Sequence, residues 1–240
     1  MQKYVSNYEV IRDIQPGNYH FTGNSVGNKR VLRHIFDDPA QTRMVLDIGF
    51  GVGDLGTIMK SDPAVKHWEI DGIDGFFDAC QNSALFNRRI YRNVWHGLAQ
   101  ELPKSSLQAY DVICLFDVIE HLDVESATAL LRALLEALGP QSRLVLSTPL
   151  WFWPQSQQHA GDLEEHLIAV PVRCLVGLAP LMFTVNSRFL VGTFVYGQKS
   201  LDRLDFFRPI TDKAYGIESG RRELAALGLP ADDVLYRIAA

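Results

Sequence analysis

Short apolar runs of strand length recur along this chain, separated by amphipathic or polar stretches. The first, residues 44–48 (MVLDI), is apolar apart from Asp47 and breaks into a turn holding Gly49, Gly51, Gly53 and Gly56. A short apolar run bounded by turn residues predicts a buried strand, and the polar–apolar mixture after it predicts a helix ending before Asp62-Pro63. Residues 66–74 (KHWEIDGID) predict a second strand, 78–87 a helix, and 90–98 a third strand. The run at 111–116 is nearly continuously apolar, as a strand covered on both faces should be. Ala127, Leu130, Leu131, Leu134, Leu135 and Leu138 then share one helical face, with Asp123 placed to cap the helix and Gly139-Pro140 to end it. Residues 143–149 predict a fifth strand, and Glu164-Glu165-His166 opens an apolar helix that ends near Pro180. Residues 183–187 and 189–197 predict an antiparallel hairpin, 218–227 a helix, and the last residues a further helical turn or two. No period stands out in residues 1–30, and 28–36 predict a short helix. Strands alternating with helices predict an α/β fold with a mostly parallel, doubly wound sheet.

In such a sheet the glycine turn is the place to look for a ligand. Glycine permits close approach of a ligand to the backbone and adopts φ angles other residues avoid. Residues 51–56 fit G-x-G-x-x-G, with Asp74 roughly 20 residues on, as a dinucleotide site asks. Gly49-Phe50-Gly51-Val52-Gly53, preceded by Asp47, also resembles the first motif of class I S-adenosylmethionine-dependent methyltransferases. Asp47 separates the two. A carboxylate ending the first strand would repel a pyrophosphate, whereas it suits a cationic cofactor whose amino group needs an acceptor.

The resemblance extends over residues 30–198 and rests on three ordered features: the glycine turn, Asp74, and DVIEHL at 117–122. It implies a Rossmann-like sheet of seven strands with an antiparallel C-terminal hairpin, and S-adenosyl-L-methionine as cofactor. Asp47 would hold the methionine amino end, with Gly49, Phe50, Gly51 and Gly53 forming the turn beneath. Asp74 would hold the ribose, with Gly75 and Phe76 beside it and Phe76 on the adenine face; Asp71, inside the strand, would point away. Leu98 and Ala99 stand where the family usually has an acidic residue against the adenine amino group, and Phe116 and Asp117 end the fourth strand. Gln141-Ser142 replaces the family's frequent Gly-Gly turn.

The expected function is methyl transfer to a small-molecule acceptor, an O-methylation of a sugar, lipid-linked or aromatic group. His121 and His166 are the candidate catalytic bases, since imidazole titrates near neutral pH. A role for His121 in shaping its loop, and for His166 as a surface residue, stays open. Trp151, Phe152 and Trp153, just after the fifth strand, are candidates for an acceptor wall. Two alternatives remain. Asp117, Glu120, His121 and His166 resemble the metal-binding set of the small-RNA 2′-O-methyltransferases, with Asp117 in place of a glutamate, although the leading expectation has no metal. A domain that binds cofactor or partner without catalysis is the other.

Composition narrows the partners. At 240 residues, 47% hydrophobic, the chain is long enough for one substantial core. The expected division is a cap segment over 1–35, the cofactor-binding domain over 36–198, and an extension over 199–240 that covers the substrate side or makes a homodimer contact. The net charge of −5 disfavours nucleic acid, and Arg88, Arg89 and Arg92 read as a solvated helix end. Three scattered cysteines point to a reducing compartment. No apolar signal segment opens the chain, and Pro171, Arg173 and Pro180 interrupt its most apolar stretch, so a cytoplasmic protein without a membrane span is expected.

Overall fold

In the computed structural model residues 7–13, 26–157 and 163–239 are described. Their strands are β1 (Tyr8–Asp13), β2 (Met44–Ile48), β3 (Glu69–Asp74), β4 (Asn93–His96), β5 (Val112–Phe116), β6 (Arg143–Pro149), β7 (Met182–Val185), β8 (Val191–Tyr196) and β9 (Val234–Ile238). They form one sheet in the order β1-β9-β7-β8-β6-β5-β2-β3-β4. From β6 to β4 all pairings are parallel. The pairings β6–β8, β7–β8, β7–β9 and β1–β9 are antiparallel. The chain order reverses at β2, which lies between β3 and β5, and that reversal opens a crevice beyond the strands' C-terminal ends.

The central strands are apolar on both faces, and each face has its own core. Leu46, Ile113, Leu115, Leu144 and Leu146 pack on one side with α5 (Val124–Ala137). Val45, Val112, Cys114 and Val145 pack on the other with Val31, Leu32, Trp68 and α1 (Asp54–Ser61). Asp123 caps α5 by accepting from the Ser126 amide at 2.8 Å, as expected.

The structure corrects several expectations. Among the described residues the sheet has nine strands rather than seven. The last residues form β9 instead of helical turns, because Val234, Tyr236 and Ile238 alternate with Leu235 and Arg237 in a pattern suited to a half-buried strand. β9 pairs with β1, in a region where no period stands out. The predicted helix over 78–87 is two short ones, α2 (Phe77–Cys80) and α3 (Ser83–Asn87). Asn82 divides them, its side chain accepting from the Ala84 amide at 3.1 Å and so starting a new helix. The expected helix over 28–36 is a 3-10 helix, Lys29–His34. The long helix after Glu164 shrinks to α6 (Val172–Gly177). Before Pro171 the chain is extended: the Leu167 amide bonds the Glu120 carbonyl at 2.8 Å and the Ala169 amide the Ile210 carbonyl at 2.8 Å. α4 (Lys104–Leu107) and α7 (Ile217–Leu227) are the remaining α-helices among the described residues. Among the described residues no helix is long and apolar enough to cross a membrane.

Candidate functional site

A cavity of about 1060 Å³ opens at the C-terminal ends of β2, β3 and β5. One end is built on the glycine turn. Gly51 has φ +53°, and a side chain placed there would meet nothing within 4 Å, so its bare backbone faces open space. Gly53 (φ +83°) does not line the cavity; a β-carbon there would fall 2.3 Å from Leu85, so this glycine serves the packing of α1 against α3. Gly49, Phe50, Gly75, Phe76, Leu98, Ala99 and Phe116 all line the cavity, together with Asp47, Asp74 and Asp117.

The carboxylates divide the labour. Asp74 ends β3 and accepts the Gly51 amide on Oδ2 and the Phe76 amide on Oδ1, each at 2.8 Å. It thus pins the glycine turn to the following loop while each oxygen keeps a further lone pair. Asp71, as expected, points away: Arg92, Tyr110 and Asn93 bond it from behind the sheet's edge. Asp47 is 2% exposed and accepts from the Tyr91 hydroxyl at 2.6 Å. Burial pushes its carboxyl up to about 7, against the opposing pull of Tyr91 and Lys29. Asp117 has φ +53°, and its carboxylate receives the amides of Val26 (2.6 Å) and Gly27 (3.1 Å) and the Ser147 hydroxyl (2.5 Å). It clamps the segment before the 3-10 helix over the cavity.

The other end holds His121 and His166, whose rings meet edge to face with centroids 4.5 Å apart. His121 Nδ1 lies 3.2 Å from the Glu165 carbonyl, and His166 Nδ1 lies 2.7 Å from the Trp153 carbonyl. A carbonyl only accepts, so each neutral ring carries its proton on Nδ1 and leaves Nε2 bare. Burial lowers the pKa of both, that of His166 to about 4. Glu120 is buried beside them and accepts from the Thr148 hydroxyl at 3.0 Å, its carboxyl held well above the ordinary range by burial and by Asp117. Ligating atoms of Glu120, His121 and His166 lie within 4.8 Å of one another. The four-residue carboxylate–histidine set is therefore three residues here, with Asp117 turned to Val26 and Gly27.

Of the aromatic triplet, Trp153 lines the cavity, while Trp151 and Phe152 do not. Trp151 stacks on Trp153 at 5.2 Å and donates from Nε1 to the Phe189 carbonyl at 2.9 Å. Phe152 is buried. Gln155 bonds both the carbonyl and the carboxylate of Glu164, closing this end (2.9 and 3.0 Å). Sequence reasoning missed Lys29, Tyr91 and this Gln155–Glu164 contact. Lys29, Gln155 and Glu164 line the cavity and Tyr91 stands behind Asp47; each comes from a stretch without a motif, and no local signal marks them.

A family model described as a methyltransferase domain matches residues 25–174. No curated protein sequence matches the chain significantly. Among solved structures, the O-methyltransferase NcsB1 from neocarzinostatin biosynthesis, in complex with S-adenosylmethionine and 2-hydroxy-5-methyl naphthoic acid, is 16% identical. The match covers 69% of this chain and 51% of that one, with a TM-score of 0.43. A SAM-dependent methyltransferase from Archaeoglobus fulgidus is 27% identical over 50% of this chain and 51% of its own, with a TM-score of 0.39. The N-terminal domain of EvdMO1, solved with SAH and D-fucose, is 13% identical over 70% of this chain and 78% of its own, with a TM-score of 0.49. This chain spans about half the length of the first two.

Proposed function

The chain belongs to the methyltransferase domain family, whose cofactor is S-adenosylmethionine, and on that premise we propose that it O-methylates a small molecule held at the His121–Trp153 end of the cavity. The observation that supports this most is continuity: one cavity joins Asp47, Asp74 and the glycine turn to His121, His166 and Trp153. Asp47 takes the cofactor's ammonium, Asp74 uses its remaining lone pairs for the ribose hydroxyls, and Phe76, Leu98 and Ala99 flank the base. The cofactor supplies an activated methyl group on a sulfonium. The protein's share is alignment, worth ~7–11 kcal/mol in favourable cases, and removal of the acceptor's proton. His121 is neutral with Nε2 bare, so it would take the acceptor's hydroxyl proton as that oxygen receives the methyl group. His166 stands beside it as the second base. Trp153 stacks on the acceptor body, a sugar face, an aromatic ring or the head of a lipid-linked group. Residues 26–35, tied down by Asp117, act as the cover of the cavity; of the rest of the expected cap over 1–35, β1 lies at the far edge of the sheet and residues 1–6 and 14–25 lie outside the described residues. Three free cysteines fit a cytoplasmic setting.

The convergence of Glu120, His121 and His166 favours a second possibility, a divalent ion at Nε2 of both histidines, since carbonyl-bonded Nδ1 atoms are usual for metal-ligating imidazoles. Glu164 and Glu165 at the same end oppose a phosphate backbone there, so this ion does not call for an RNA acceptor. Steady-state methyl transfer with labelled cofactor tests both. His121→Ala should lower turnover about 100- to 10,000-fold with the S-adenosylhomocysteine dissociation constant unchanged. Full turnover in that variant contradicts the base role, and loss of turnover on chelation in the unmodified protein assigns the histidines to a metal.

A further inference from the structure

Lys29 is unusual for a lysine. It opens the 3-10 helix Lys29–His34, is 6% exposed, and lies in the cavity wall with its ammonium 5.2 Å from the centre of the Phe116 ring. The backbone on either side of it is fixed. Asp117 receives the Val26 and Gly27 amides, the Asn28 amide donates to Thr193 Oγ1 at 2.8 Å, and the Asn28 side chain caps the Arg30 amide. Burial disfavours the charge on Lys29, while Asp117, Asp54 and Asp47 each favour it. Holding a long cationic side chain in so closed a place costs conformational entropy and hydration.

Among the described residues lining the cavity, Lys29 is the one lysine or arginine, set among many carboxylates. Among the described side chains lining the cavity, Lys29 is the one that offers an entering carboxylate a full positive charge. The amino-acid end of the cofactor is a zwitterion, and Asp47 matches only its ammonium. We propose that Lys29 is the anchor for the carboxylate of that amino-acid end, so that Lys29 and Asp47 together select a cofactor with an intact amino acid. This rests on S-adenosylmethionine occupying the Asp47 end. A lysine that merely offsets the surrounding carboxylates would support every cofactor analogue equally; an anchor discriminates.

The test is calorimetric titration with S-adenosylmethionine and with decarboxylated S-adenosylmethionine, which keeps the amine and the sulfonium and lacks the carboxylate. The unmodified protein should prefer the intact cofactor by about tenfold or more, as loss of a charge-assisted hydrogen bond implies. Lys29→Met should weaken the intact cofactor by that factor, leave the decarboxylated one within about twofold, and so erase the preference. Lys29→Arg should retain it. Equal losses for both ligands in Lys29→Met assign the lysine to structure and overturn the proposal. If Lys29→Met fails to fold, the unmodified protein decides, because parity between the two ligands overturns the proposal without any variant. Failure of the unmodified protein to bind either ligand overturns the cofactor assignment itself, a result distinct from binding without discrimination.

Discussion

At the proposed cofactor end of the cavity every expected polar group stands within a few residues of a strand end: Asp47 before the glycine turn, Asp74 closing β3. At the proposed acceptor end, His121, Trp153 and His166 come from three separate stretches, and the two imidazoles are oriented by carbonyls of Trp153 and Glu165 in irregular chain. One end is set by the sheet, the other by coil laid across it. The same force acts on both with opposite chemical result. Burial pushes the Asp47 carboxyl up to about 7 and the His166 imidazole down to about 4, and in each case the neutral form is favoured. The cofactor end thus keeps a carboxyl whose charge a cationic ligand can draw out, while the acceptor end keeps imidazoles ready to accept protons.

The largest expected effect separates the two ends by pH. Asp47 titrates near 3.8 when unfolded and about 7 when folded, so its burial costs stability as pH rises through that window, by up to ~4 kcal/mol in the ligand-free protein. His166 runs the other way: 6.5 unfolded and about 4 folded, so stability falls as pH drops from 6.5 to 4, by up to ~3 kcal/mol. Urea unfolding across pH 4–7 should show Asp47→Asn gaining on the unmodified protein as pH rises, and His166→Asn gaining as pH falls. Parallel profiles for both variants would erase the electrostatic contrast.

A smaller effect distinguishes the two acidic residues of β3. Asp74→Ala should weaken S-adenosylhomocysteine binding by about tenfold or more, the value of hydrogen bonds to a charged group, with little change in acceptor KM. Asp71→Ala should instead lower stability, because Arg92, Tyr110 and Asn93 lose their shared acceptor. A cofactor affinity unchanged in folded Asp74→Ala would move the ribose contact elsewhere. The smallest effect lies at the other end. Trp153→Ala should raise acceptor KM a few-fold to about tenfold, as an aromatic contact of ~0.5–1.5 kcal/mol implies. Trp151→Ala should act mainly on stability through the lost bond to Phe189. Equal KM shifts would place both indoles against the acceptor.

How much was legible follows the same division. β2, the glycine turn, β5 and the capped α5 are visible in sequence because each carries its own local signal: an apolar run, a glycine cluster, a period-3.6 stripe behind Asp123. β1 and β9 were not, since they are short edge-region strands whose stability comes from pairing more than two hundred residues apart, Tyr8 with Ile238. The stretch from Glu164 to near Pro180 reads as helix from its apolar content, but the amides of Leu167, Ile168 and Ala169 bond to Glu120 and Ile210, partners no local pattern reveals. Lys29 is one of seven lysines in the sequence and becomes distinct only once Asp117 and Thr193 hold the amides of Gly27 and Asn28 just before it. Gly53 belongs to the motif by spacing, and the structure gives it to packing against Leu85.

The central claim is that a buried carboxyl at the end of β2 makes this cavity a site for a cationic amino-acid cofactor rather than for a dinucleotide. Titration calorimetry of the unmodified protein with S-adenosylhomocysteine and, separately, with NAD tests it most directly. Above pH 7, where Asp47 is ionised, saturable one-site binding of S-adenosylhomocysteine is expected and none of NAD, whose pyrophosphate Asp47 would repel. Tight binding of NAD with no response to S-adenosylhomocysteine would contradict it.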